Sequence, residues 1–208
     1  MSDRPANAPA EIVDQLFAAT AMPDSDWWQA LWPDPDHVVK ALKIMPGMRV
    51  LDLGCGDGYF TAAIARCVRP GRVIGLDLDP VMLKEAQAAC AGLTNCDWQL
   101  GDAMALRDLI PDTVDYVLMA NSFHGVPNQV QLVRVVATML LPGSRFGIIN
   151  WYPAEREETP VLGAPRGPRK ALRISPEATQ AIVEAGGFVQ ETLIPFPPYH
   201  YGLIFRKI

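Results

Sequence analysis

From Met48 onward, short apolar and β-branched runs alternate with longer stretches in which apolar residues recur at helical spacing. Strands that alternate with helices in this way are joined by crossovers and lie parallel, so the pattern predicts an α/β fold. Arg49 to Leu53 reads as the first strand, followed by a glycine turn and a helix through Tyr59 to Ala65. After the break at Pro70-Gly71, a second strand runs from Arg72 to Asp77, and Asp79 and Pro80 supply the N-cap and first residue of a helix over Val81 to Ala89. Asp97 to Leu100 is a third strand, and Val114 to Ala120, nearly all apolar, is a central strand covered on both faces. Pro127 opens the next helix, which runs to about Met139 and is ended by a Leu141-Pro142-Gly143 turn before a fifth strand, Phe146 to Trp151. Ser175-Pro176 starts a helix that stops at Gly186-Gly187, and two strands follow near Phe188 to Ile194 and Tyr201 to Arg206. The link Pro195-Phe196-Pro197-Pro198 is too short for a crossover, so the last strand must run antiparallel.

Two regions fall outside this rhythm. Residues 1–46 carry a helical pattern around Ile12 to Ala19, an aromatic patch of Trp27, Trp28 and Trp32, and a helix start at Asp34-Pro35. They read as an N-terminal helical cap on a domain spanning 47–208. Pro153 to Pro168, rich in Pro, Gly and mixed charge, reads as a long loop of the kind that serves as a lid. No internal repeat is present.

With 208 residues, half of them apolar, the composition is that of a folded chain with one sizeable core. No run reaches the ~18–20 apolar residues of a bilayer crossing, and the polar start Met1-Ser2-Asp3-Arg4-Pro5 lacks the flank of a secretory signal, so the expected location is the cytoplasm. A formal charge of −5 argues against nucleic acid as a partner. The one basic cluster, Arg166, Arg169, Lys170 and Arg173, is expected to be a solvated loop rather than an anion pocket. Cys55, Cys67, Cys90 and Cys96 form no Cys-x-x-Cys pair, which predicts reduced thiols and no metal site.

The chemistry concentrates in Leu51-Asp52-Leu53-Gly54-Cys55-Gly56-Asp57-Gly58, between a strand and a helix, with an acidic strand end, Asp77, ~20 residues downstream. Glycines there allow a tight turn and the approach of a nucleotide-like cofactor to backbone N–H groups. A dinucleotide would set its pyrophosphate beside Asp57, whereas a cationic ligand gains from Asp52 and Asp57. S-adenosylmethionine has a sulfonium, an ammonium, no phosphate, and ribose hydroxyls for Asp77, so it is favoured over NAD. The chain also lacks the Tyr-x-x-x-Lys pair of short-chain dehydrogenases.

Val50 to Gly58, then Val73-Ile74-Gly75-Leu76-Asp77-Leu78-Asp79-Pro80, then Gly101-Asp102-Ala103, in this order and spacing, resemble the class I S-adenosylmethionine-dependent methyltransferases, and most of all their small-molecule branch that includes ubiquinone- and menaquinone-type enzymes. The resemblance implies a Rossmann-like, doubly wound, seven-stranded sheet with the last strand antiparallel. It further implies that Gly54, Cys55 and Gly56 line the methionine part, Asp77 takes the ribose hydroxyls, Leu78 packs on the adenine, and Asp102 with the Ala103 N–H reads the adenine edge. Ala120-Asn121-Ser122-Phe123-His124-Gly125 lies where the family places groups between cofactor and acceptor. This stretch is not the [Asp/Asn/Ser]-Pro-Pro-[Tyr/Phe] signature of amino methylases of nucleic acids and proteins.

Methyl transfer from a sulfonium needs alignment above all. For a phenol, thiol or enol acceptor a base helps, and His124 is the candidate catalytic residue, since an unperturbed imidazole changes charge at ~6.5, near neutrality. His200 is a weaker candidate on the turn before the last strand, and His37 belongs to the surface. Trp27, Trp28 and Trp32, with Trp151 and Tyr152, form either an aromatic acceptor pocket or the packing of the cap. No second substrate domain is inserted, so a compact acceptor suits the chain better than a lipid-like quinone. Two alternatives stay open: a protein of the same fold that binds S-adenosylmethionine without catalysis, and an NAD-dependent oxidoreductase.

Overall fold

The computed structural model describes residues 22–208; the helical pattern at Ile12 to Ala19 lies outside them. Two short helices, α1 (Ser25–Leu31) and α2 (Pro35–Ala41), precede the sheet. Then follow β1 (Arg49–Leu53), α3 (Tyr59–Val68), β2 (Arg72–Asp77), α4 (Pro80–Ala89), β3 (Cys96–Leu100), α5 (Leu106–Leu109), β4 (Val114–Ala120), α6 (Gln129–Met139) and β5 (Leu140–Trp151). A small hairpin, β6 (Pro160–Val161) and β7 (Ala164–Pro165), leads to α7 (Pro176–Glu184), β8 (Phe188–Phe196) and β9 (His200–Lys207). The seven long strands form one sheet in the order β3-β2-β1-β4-β5-β9-β8. The first five are mutually parallel, and β9 enters antiparallel between β5 and β8, as the short link before it requires.

Alternation along the central strands sorts side chains onto two faces. Leu51, Val117, Met119, Phe146 and Ile148 bury with Leu132, Val133 and Val136 of α6 and Val183 of α7. Val50, Tyr116, Leu118, Ile149 and Ile204 bury on the other side with α1, α2 and α3. There Trp28 and Trp32 meet Phe60 edge-on at 6.5 and 5.5 Å, and the Tyr59 hydroxyl donates to the Trp32 carbonyl. The helix starts follow their capping residues: Asp34, Asp79, Asn128 and Ser175 accept from the backbone of His37, Val81, Gln131 and Ala178.

Two local expectations are corrected, and one short element is added. The Leu141-Pro142-Gly143 turn is absorbed into β5, which starts at Leu140: Val114 pairs with Leu140 and Tyr116 with Arg145, so 141–144 bulge opposite a single residue, Asp115. The short α5 between β3 and β4 carries no periodic signal, being a single turn held by buried Leu106. Pro153 to Pro168 is not bare loop, since a 3-10 turn (Arg156–Glu158) and the β6–β7 hairpin give it internal hydrogen bonds.

Candidate functional site

Where β1 meets β4 the strand order reverses, and the crevice beyond the carboxyl ends of the strands at such a switch point is the natural ligand site of an open α/β sheet. A cavity of about 340 Å³ opens there. All ten residues expected at the site line it: Asp52, Gly54, Cys55 and Gly56 at and just after the end of β1, Asp77 and Leu78 at and just after the end of β2, Asp102 and Ala103 after β3, and Asn121 and His124 after β4.

The glycine loop differs in one respect from its expected use. The N–H groups of Gly54 and Cys55 both donate to the Leu76 carbonyl, that of Gly56 to Asp77 Oδ2 at 2.8 Å, that of Gly58 to the Cys55 carbonyl, and that of Tyr59 to Asp57 Oδ1. These donors are committed to β2 and within the loop, so it is no cradle for a pyrophosphate. Gly58, at φ +85°, has a separate role, because a Cβ there would lie 2.9 Å from the Ala86 Cα of α4.

Three carboxyls instead give the loop end an acidic character. Asp52 is almost wholly buried and accepts from Thr61 Oγ1 at 2.6 Å; burial pushes its pKa up to about 7 against that hydrogen bond, with the charges of Asp77 and Asp57 adding to the rise. Burial also raises Asp57 and Asp77, although Asp77 accepts from two backbone N–H groups, those of Gly56 and Asp79. Raised carboxyls around one cavity mark a place where negative charge is disfavoured for want of a counter-ion, and a cationic ligand would supply it. Burial raises the Cys55 thiol far above its usual range and leaves it protonated.

The end of β4 provides the complementary observation. Asn121, held at φ +60°, buries both its amide oxygen and its amide nitrogen with no hydrogen-bond partner, and Ser122 Oγ is likewise buried and unpartnered. Both side chains line the cavity. Buried polar atoms without partners are costly, so this wall is built to receive a polar ligand. Together with the unneutralised acids, these groups fit S-adenosylmethionine, whose cationic methionine end and hydroxyl-bearing ribose need such partners. Asp79 caps α4, which leaves Asp77 free of that task. Asp102 does act as a turn residue, accepting from Met104 N at 2.8 Å, while also facing the cavity.

His124 sits buried in a 3-10 turn after β4. His200 does not line the cavity: it is buried between the Trp151 and Trp32 rings, at 4.1 and 4.5 Å, because β9 starts there and turns the ring into the core. Its imidazole is held well below its usual pKa, first by burial and then by the positive charge of Arg173. His37 is exposed. The two readings of the tryptophans coexist, since Trp27, Trp28 and Trp151 are core residues that also line the cavity, whereas Trp32 and Tyr152 only pack.

The basic cluster is corrected. Arg173 is buried, lies over the Trp151 ring at 4.9 Å, and donates to the Pro168 carbonyl, to Thr159 Oγ1 and to the Arg166 carbonyl. Arg166 lines the cavity and lies over Trp27 at 5.2 Å; only Arg169 and Lys170 are solvated. Arg156 lines the cavity without having been singled out in the sequence, while Ser122 was named only as part of the stretch after β4 and Arg166 only as part of a solvated basic cluster. Ser122 had a signal in its neighbour Asn121, but the arginines lie in a segment without regular pattern, and only the hairpin brings them to the cavity. Among the described residues no three His, Cys, Asp or Glu side chains gather as a metal site, and no helix is long and apolar enough to cross a membrane.

Comparison with known proteins agrees with this geometry. Residues 50–143 match the family described as a methyltransferase domain. The chain is 30% identical over 150 residues to the ubiquinone biosynthesis O-methyltransferase of Xanthomonas campestris pv. campestris (strain B100), covering 66% of this chain and 61% of that protein. It is 32% identical over 108 residues to the demethylmenaquinone methyltransferase of Staphylococcus carnosus (strain TM300), covering 51% and 44%. It thus spans less than two thirds of these relatives. A crystal structure of a SAM-dependent methyltransferase from Aquifex aeolicus superposes with a TM-score of 0.76 at 22% identity, covering 97% of this chain and 100% of that one. The sheet order is thus that of a methyltransferase fold, and residues 50–143, which include the acidic glycine loop, match a methyltransferase domain.

Proposed function

We propose that this protein transfers a methyl group from S-adenosylmethionine to an oxygen of a compact aromatic acceptor. The observation that carries the reading is the pairing, around one cavity, of unneutralised Asp52, Asp57 and Asp77 with the unpartnered polar atoms of Asn121 and Ser122. When bound, S-adenosylmethionine supplies a methyl group on a sulfonium, and the carbon–sulfur bond breaks as an in-line nucleophile forms its bond to that carbon.

The chain's own residues do the rest. Asp52 and Asp57 hold the cationic methionine end, with Gly54, Cys55 and Gly56 along it; Asp77 accepts from the ribose hydroxyls while keeping the loop tied through Gly56 N. Leu78, Asp102 and Ala103 receive the adenine, and Asn121 and Ser122 orient the reacting end. Trp27, Trp28, Phe60 and Trp151 exclude water and favour a planar acceptor. An imidazole nitrogen of His124 takes the hydroxyl proton as the acceptor oxygen is methylated. The names of both relatives favour ring chemistry of the quinone type and that of the ubiquinone biosynthesis O-methyltransferase favours oxygen, while the cavity, near the lower end of the ~300–1,000 Å³ usual for ligand sites, favours an acceptor without a long lipid tail. Within the expected N-terminal cap, the described residues 22–46, with Trp27 and Trp28, cover the cavity, and the free thiols suit the reducing cytoplasm.

The test is calorimetric titration with S-adenosylmethionine, S-adenosylhomocysteine and NADH, alongside Asp77→Ala. Micromolar binding of the first two, weakened about tenfold or more in the variant, is expected from the loss of charge-assisted hydrogen bonds. Binding of NADH alone would overturn the reading.

A further inference from the structure

We infer that the methyl acceptor carries a carboxylate and that Arg166, assisted by Arg156, receives it. The inference rests on the methyltransferase reading and deepens it by naming the acceptor's chemical class, a compact aromatic acid. Arg156 and Arg166 line the same cavity as the acidic glycine loop, and neither forms an ion pair among the described residues. Two of the three neighbouring acids are engaged elsewhere: Glu155 pairs with Lys170 at 2.8 Å, and Glu158 accepts from the Glu155 N–H, while Glu157 is exposed to solvent.

Arg166 has the features of a built receptor. Its guanidinium lies over the Trp27 ring, and its Nε is buried with no acceptor, which costs free energy until an acceptor arrives. Its backbone is fixed, its N–H donating to the Thr159 carbonyl at 3.1 Å and its carbonyl accepting from Thr159 Oγ1 at 2.9 Å and Arg173 Nη2 at 3.2 Å. Arg173 is therefore a positioning residue, tying Arg166 and Pro168 to the Trp151 ring. A planar guanidinium on an aromatic face presents its fork to a carboxylate in a way that a lysine does not.

The charge pattern also sets orientation. Asp52, Asp57 and Asp77 repel an anion, whereas Arg156 and Arg166, which line the same cavity, attract it. An aromatic acid held by its carboxylate between the tryptophans thus turns its opposite edge, with the hydroxyl to be methylated, away from the arginines.

Calorimetry on the full chain, with and without saturating S-adenosylhomocysteine, would compare 3- and 4-hydroxybenzoate with the corresponding neutral hydroxybenzamides. At least a tenfold preference for one acid over its amide is expected, falling to less than threefold in Arg166→Gln and weakening in Arg156→Gln. Because Arg156 is exposed, its variant tests the charge without touching the packing. S-adenosylhomocysteine binding reports on folding of both variants. Equal binding of acid and amide, no binding of either acid up to millimolar concentration, or a preference that survives both substitutions would overturn the inference. A chain that binds no S-adenosylhomocysteine yet prefers the acid would instead overturn the methyltransferase reading and leave the anion site standing.

Discussion

Replacing Asp52 by Asn separates the electrostatics of the site from its shape. Asp52 is almost wholly buried in β1, and its pKa rises from 3.8 to about 7, chiefly by burial. Its folded-state value lies above the unfolded one, so the contribution to stability is complete below pH ~4 and is lost as pH rises through about 7. The whole loss is about 4 kcal/mol, of which about 3 kcal/mol falls between pH 5 and pH 8. Asn has the same shape, can still accept from Thr61 Oγ1, and does not titrate. For a chain of this size ~1 kcal/mol corresponds to about 2–4 °C in melting temperature, so the wild type should lose about 6–12 °C more than Asp52→Asn between pH 5 and pH 8. The assay is thermal unfolding of the ligand-free protein, followed by circular dichroism across that range. Curves that run parallel for the two proteins would refute the reasoning. Ionised Asp52 is the form that holds a cation, so the same variant should bind S-adenosylhomocysteine more weakly at pH 8 and lose the rise in affinity shown by the wild type through pH ~7.

Asp77→Asn, which can keep an acceptor for the Gly56 N–H, should still lose about tenfold in cofactor affinity by calorimetry, and unchanged affinity would remove the carboxylate from the site. His124→Asn should lower kcat by about 10²-fold or more with a phenolic acceptor while KM changes little, and an unaltered kcat–pH profile would exclude it as the base. Gly58→Ala forces a Cβ against the α4 backbone at positive φ and should cost about 1–3 kcal/mol in urea unfolding; an unchanged midpoint would show that α3 and α4 can part. Arg173→Met removes the side-chain donor to the Pro168 carbonyl and one of the two donors to the Arg166 carbonyl, and should raise protease cleavage within 153–168 well before global unfolding.

Much of the fold follows from local rules that act over a few residues. Strand periodicity, the caps Asp34, Asp79 and Ser175, and the short link before β9 set the elements and the antiparallel last strand without reference to distant partners. The glycine loop and Asp77 were legible for the same reason, since each belongs to a strand–turn–helix unit whose spacing is fixed by backbone geometry. Tertiary structure alone decided what depends on packing. It spent the loop N–H groups on Leu76 and Asp77, left Asn121 and Ser122 unpartnered, and raised Asp52 by burial. It also turned His200 into the core and brought Arg166 to the cavity through a hairpin pinned by Arg173. Desolvation and hydrogen-bond partnership are properties of the assembled surroundings, and residues far apart in the chain supply them here.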